Sequence, residues 1–199
     1  MPSAARPRTL AALAAALAAA HALAQAPSAP PPAEPPPTPL PAEYSDASRK
    51  AYAAGLKEAR ELIAQKRYDE AIARLDALSR ERPREPQARF LKSVAQSEAG
   101  RPDDAVATLT ALAADFPELP EVHNNLAVIY AARGGLELAK AELELAIAAS
   151  PDYAPAVENL GDVYARLAAR QYERAAALEK GKGLAPAKLK LVRDALAVH

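Results

Sequence analysis

The chain has 199 residues, with 25 Lys and Arg against 25 Asp and Glu, so its formal net charge is zero. That balance excludes a basic nucleic-acid-binding surface as its main business. Cysteine and tryptophan are absent, which removes disulfides, thiolate nucleophiles and Cys-ligated zinc, while 53 alanines point to a chain that is nearly all helix.

Residues 1–24 read as a secretory signal. Arg6 and Arg8 form a positive start, Leu10 to Ala20 holds only Ala and Leu, and Ala22-Leu23-Ala24 offers the small residues a signal peptidase needs. Cleavage after Ala24 leaves Gln25 first; cleavage after Ala26 would place Pro27 there. The apolar run is about 15 residues and mostly alanine, where a membrane span needs about 20 strongly apolar ones. Arg6-Pro7-Arg8 is not a twin-arginine pair and no lipobox Cys exists. The expectation is a periplasmic or secreted protein with no stable membrane insertion once the signal is gone. Residues 25–43 follow as a linker: nine prolines between Pro27 and Pro41 deny the segment a helix or a sheet ladder, leaving an extended spacer.

From Tyr52 onward the chain repeats with a period of 34. Ala71, Ala105 and Ala139 keep that step, as do Leu75, Leu109 and Leu143, and Pro83, Pro117 and Pro151. Three residue types held to one period predict a helical hairpin stacked into a solenoid. In the third unit, Val122 to Arg133 carries Leu126, Ala127, Ile129 and Tyr130 at helical spacing, Gly134-Gly135 breaks it, and Leu136 to Ala149 forms the second helix. The second unit turns at Gly100; the first turns at Lys66-Arg67 with no glycine, which predicts a strained or differently shaped turn. The recurring alanines stand where two helices cross closely.

Asn125-Leu126-Ala127, then Tyr130, Gly134, Ala139, Leu143, Ala146 and Pro151 resemble the tetratricopeptide repeat signature, and Val157, Leu160-Gly161 and Tyr164 open another repeat in register. The resemblance runs from residue 52 to about 180 and is looser in the first unit, where Leu62 and Leu78 depart from the usual residues. It implies an all-α, right-handed α-α superhelical solenoid of about 3.5 hairpins. The units are 44–85, 86–119, 120–153 and a degenerate 154–180. In the last, about five residues are missing and no turn comes on schedule after Tyr164, so one long helix is expected there. Gly181-Lys182-Gly183 ends it, and a capping helix over 184–198 follows, with Leu189, Val192 and Leu196 as its apolar stripe.

No catalytic motif is present: no Gly-rich phosphate loop, no His-Glu metal motif, no nucleophile elbow. His123 falls where the family packs a bulky side chain, Glu142 and Glu144 point different ways on a helix, and the Arg80–Arg89 run is interleaved with Glu81 and Glu85. The chain is therefore expected to be no enzyme and to need neither cofactor nor metal.

The resemblance implies a groove lined by the first helix of each hairpin. By register this places Leu56, Arg60 and Ile63 in the first unit, Phe90, Val94 and Ser97 in the second, Asn124, Asn125 and Val128 in the third, and Glu158, Asn159 and Asp162 in the fourth. Asn125 and Asn159 match asparagines with which the family binds a peptide main chain. Leu56 and Glu121 stand where chaperone-binding members carry carboxylate-clamp lysines, so that clamp is not expected. Phe90 is expected to be exposed, with the core position of its helix at Arg89. The implied function is a scaffold or adaptor of the bacterial envelope that binds a protein or peptide. The alternative is a subunit of an envelope-assembly machine for pili, outer-membrane proteins or cytochrome maturation. Homo-oligomerisation and cover of the groove by the tail or last helix stay open.

Overall fold

The computed structural model describes residues 45–197. The expected signal, the proline-rich linker and the last two residues lie outside the described residues. Within them the chain forms eight helices and no strand: α1 (Asp46–Ala64), α2 (Tyr68–Glu81), α3 (Pro86–Glu98), α4 (Pro102–Asp115), α5 (Pro120–Ala132), α6 (Leu136–Ala149), α7 (Ala154–Leu178) and α8 (Ala185–Leu196).

The connections alternate. Turns 65–67, 99–101 and 133–135 close the hairpins, and the longer turns 82–85, 116–119 and 150–153 join one hairpin to the next. Short connections of this kind set neighbouring helices antiparallel. Each closing turn needs one residue with positive φ. Gly100 takes φ 72° and Gly134 takes φ 78°; at the equivalent place the first hairpin has Lys66 at φ 60°. The glycine-free turn thus keeps the shape of the others and carries the steric cost of a side chain in the left-handed region. Prolines at the start of α3, α4 and α5 supply a preset φ where no helical N–H is needed. Where α2 and α4 begin, Arg67 and Arg101 reach forward to Glu70 and Asp104 at the first turn.

The core is three clusters in sequence. The first joins α1, α2 and the inner face of α3 through Leu56, Ile63, Leu75 and Ala88. The second centres on Leu109, Leu112, Val122 and Leu126, between α4 and α5. The third joins α5, α6 and α7 through Ala127, Leu143, Ala146 and Val163. Each hairpin thus buries its apolar face against the next, as a stacked solenoid requires. Ala71, Ala105 and Ala139 have no exposed surface at all, which explains why the position admits nothing larger.

The chain after Ala154 continues as one helix through Leu178, with Gly161 inside it. At 1.5 Å per residue α7 is about 37 Å long, nearly twice the length of α5. α8 lies on its C-terminal half with Leu189, Val192 and Leu196 half-buried, and Arg193 bridges to Glu173 at 2.5 Å.

Candidate functional site

Three hollows open along the odd-numbered helices. The first, about 420 Å³, lies between α1, α3 and α5; Arg60, Gln87, Phe90, Leu91, Leu119 and Glu121 line it. The second lies between α3, α4 and α5, with Val94, Ser97, Glu98, Asn125 and Val128 in its wall. The third lies between α5, α6 and α7, with Val128, Ala131, Asn159, Asp162 and Arg166. Val128 belongs to both the second and the third, and it is half-exposed at 49%, so these two hollows share a wall.

Phe90 has two roles. It packs against the second core cluster and also lines the first hollow, so it is half-buried rather than freely exposed. Nor is Arg89 the core position of α3. Its guanidinium pairs with Asp115 at 2.6 Å, and the buried residues of that helix are Ala88, Ser93, Ala95 and Gln96. Ser93 is buried with its hydroxyl satisfied, donating to the Phe90 carbonyl at 2.6 Å.

Of the residues expected to line the groove, Arg60, Phe90, Val94, Ser97, Asn125, Val128, Asn159 and Asp162 do so. Leu56 and Ile63 do not. They continue the buried stripe of Tyr52 and Ala59 at helical spacing, and they belong to the core cluster that also holds α2 and α3 side chains. Asn124 is also buried: its carbonyl oxygen accepts a hydrogen bond from Asn159 Nδ2 at 2.8 Å, tying α5 to α7. Asn159 therefore spends one of its two N–H donors inside the protein. Glu158 is exposed but lines none of the three hollows. Gln87, Leu91 and Leu119 line the first hollow although the repeat register does not point to them; Gln87 stands three before Phe90 and four before Leu91, so helical spacing links these three residues of α3 through Gln87.

His123 is buried between α5 and α6, its Nδ1 2.8 Å from Glu142 Oε2. The pair lies outside all three hollows and joins two helices of one hairpin. Among the described residues no three His, Asp or Glu side chains converge as a metal would require. The charge of the groove is uneven. The hollows hold the carboxylates of Glu98, Glu121 and Asp162 against the guanidinium groups of Arg60 and Arg166 at the two ends. The phenol of Tyr153 is raised above its ordinary value, first by burial and then by the carboxylate of Glu121.

A family model of the tetratricopeptide repeat matches residues 62–129 and 96–161, together just over half of the chain. No curated protein matches the sequence. Solved structures do. A thermophilic tetratricopeptide repeat protein of Thermus thermophilus is 25% identical, with TM-score 0.54, covering 73% of this chain and 83% of that one. The type III secretion chaperone SycD of Yersinia enterocolitica, solved with a peptide of the translocator YopD, is 15% identical with TM-score 0.54 over 61% of this chain and 98% of the other. The first repeat domain of Spaghetti (RPAP3), solved with an HSP90 peptide, is 18% identical with TM-score 0.54 over 60% and 94%. The 34-residue period, the paired helices with their alternating turns, and the family match make this chain a member of the tetratricopeptide repeat family.

Proposed function

We propose that this chain is a scaffold that holds a segment of a partner protein along the face of α1, α3, α5 and α7. The observation that carries this reading is the row of three hollows on one face, two of them sharing Val128. An extended segment can place successive side chains in such a row, with Asn125 and Asn159 at hand for its main chain. The structural neighbours SycD and RPAP3, both solved with peptides, support the same use of the fold. Glu121, Glu158 and Asp162 toward the far end of the row favour a segment with some positive charge, and Leu56 and Glu121 in place of clamp lysines favour an internal segment over a free C-terminus. The signal-like character of residues 1–24 supports work in the bacterial envelope, outside the cytoplasm, as an adaptor.

The test is capture of partners from an envelope extract with the parent chain and with Phe90→Ala. Loss of an interfacial aromatic anchor costs ~2 kcal/mol or more, about thirtyfold in affinity. Partner loss with an unchanged helical circular dichroism spectrum supports the groove; unchanged capture removes it. N-terminal sequencing of the exported form tests the envelope location and should begin at Gln25.

A further inference from the structure

Charge in this neutral chain is segregated. Residues 45–165 hold 20 acidic and 15 basic side chains, whereas residues 166–199 hold eight basic and three acidic ones. The basic end coincides with the most exposed large apolar side chains among the described residues. Leu178, Leu184 and Leu191 are 76%, 75% and 69% exposed, against 58% for the next, Leu138. Leu178 and Leu184 flank the turn where α7 gives way to α8, Leu191 lies two turns further along α8, and none lines the three hollows described above.

The turn between the two helices leaves these leucines facing outward. Lys180 and Gly181 both take positive φ, at 52° and 76°, and reverse the chain just after Leu178. Beyond the turn, Leu184, Lys188 and Leu191 follow at i, i+4 and i+7 and share one face of α8. That face is about a third of a turn away from Leu189, Val192 and Leu196, which pack toward α7. Lys190 pairs with Asp194 at 2.7 Å and Lys188 sits over the Tyr172 ring at 5.7 Å. Lys180 and Lys182 form no ion pair with a described carboxylate.

We propose that this tip is an interfacial anchor that docks on an anionic lipid bilayer surface. Charge complementarity selects the partner: lysines separated by leucines suit a surface that offers phosphate headgroups and, a few ångströms deeper, acyl chains. Leucine tips enter the acyl boundary while lysine stems keep their ammonium groups among the headgroups. A folded protein partner would instead have to match the same alternation of leucines and lysines with carboxylates of its own, which the test below distinguishes. No helix among the described residues is long and apolar enough to cross a membrane, and the proposed contact is with the bilayer surface. Leu178 stands sixteen residues beyond Asp162 on α7, about 24 Å along the axis, so an end-on approach of α7 would leave the hollows clear of the membrane. The inference is independent of what the hollows bind.

The chain contains no tryptophan, so Leu184→Trp in the full chain installs a single tryptophan near the turn, excited selectively at wavelengths its seven tyrosines do not absorb. Its emission should shift to the blue with vesicles of mixed phosphatidylcholine and phosphatidylglycerol and be quenched by brominated acyl chains. It should not respond to phosphatidylcholine alone, and high salt should reverse the shift. Vesicle affinity should fall about fivefold per lysine in Lys180→Gln and Lys182→Gln, and about tenfold in Leu191→Ser. Val128→Trp is the control and should stay silent. An absent shift, or an equal one from Val128→Trp, overturns the proposal. So does a shift produced by soluble polyglutamate but not by vesicles, which would make the tip a protein dock. A shift that grows with protein concentration without vesicles would assign it to a second copy.

Discussion

Lys66 and Gly161 carry backbone penalties of opposite kinds, and each has a simple remedy. Lys66 holds the left-handed conformation that Gly100 and Gly134 hold in the other two hairpin turns. Lys66→Gly should raise stability by up to ~1 kcal/mol, the left-handed cost being partly offset by the greater freedom of glycine in the unfolded chain. Gly161 presents the reverse case: it lies inside α7, and a Cβ added there meets nothing within 4 Å. Gly161→Ala should raise stability by ~0.5–1 kcal/mol. Urea titration of both variants checks the pair, and a lower midpoint for either contradicts its assignment. Tyr52 has a pH signature. Burial is the main reason its phenol is raised above the ordinary value of about 10. The neutral phenol is the form the fold prefers, so its contribution is intact below that ordinary value and is lost as pH rises through the raised one. Melting temperature should therefore fall with rising alkalinity, and less steeply in Tyr52→Phe; equal slopes would clear this phenol. The strained turn is legible in the sequence alone, because 34-residue spacing sets Lys66 beside two glycines. The burial of Asn124 is not, since it depends on Asn159 from the next hairpin turning its amide inward.

At the scale of the element, the hairpin crossing is the most constrained contact. Ala139 has no exposed surface and faces α5 within the cluster that holds Leu143, Ala146 and Ala127. Ala139→Leu should destabilise by ~1–3 kcal/mol through overpacking, read as a lowered thermal midpoint. An unchanged midpoint would mean that the helices can part without loss. Elements of this sort are easy to read from sequence, because a crossing alanine and the turns that flank it recur at one period. Which side of a helix faces the groove is harder. Leu56 and Phe90 are 34 apart, so register alone gives them the same role, yet Leu56 is in the core and Phe90 borders a hollow. Neighbours make the difference. Leu56 is covered by α2 and α3, while Phe90 sits between the Arg60 side of α1 and the Glu121 side of α5. The degenerate fourth unit follows the same logic: with the turn signal missing, nothing interrupts the helix until Gly181.

Taken whole, the chain separates its charge along its length, with an acidic stretch over residues 93–165 and a basic end with exposed leucines after it. Val128 is the place where a single change should reach furthest, since it walls two hollows at once. Val128→Asp should weaken partner binding by about tenfold or more, through a charge placed on an apolar contact, and titration calorimetry with the captured partner would show it. Binding that survives this change unaltered would move the partner to another surface. The alternating turns carry a consequence for the gene. A tandem duplication of residues 86–119 would place Leu119 directly before a second Pro86, recreating the Leu119-Pro120 step that already joins two hairpins. Copying errors in frame would therefore lengthen the row of hollows by one period while leaving both ends of the protein as they are, making the reach of this surface a matter of how many copies a lineage retains.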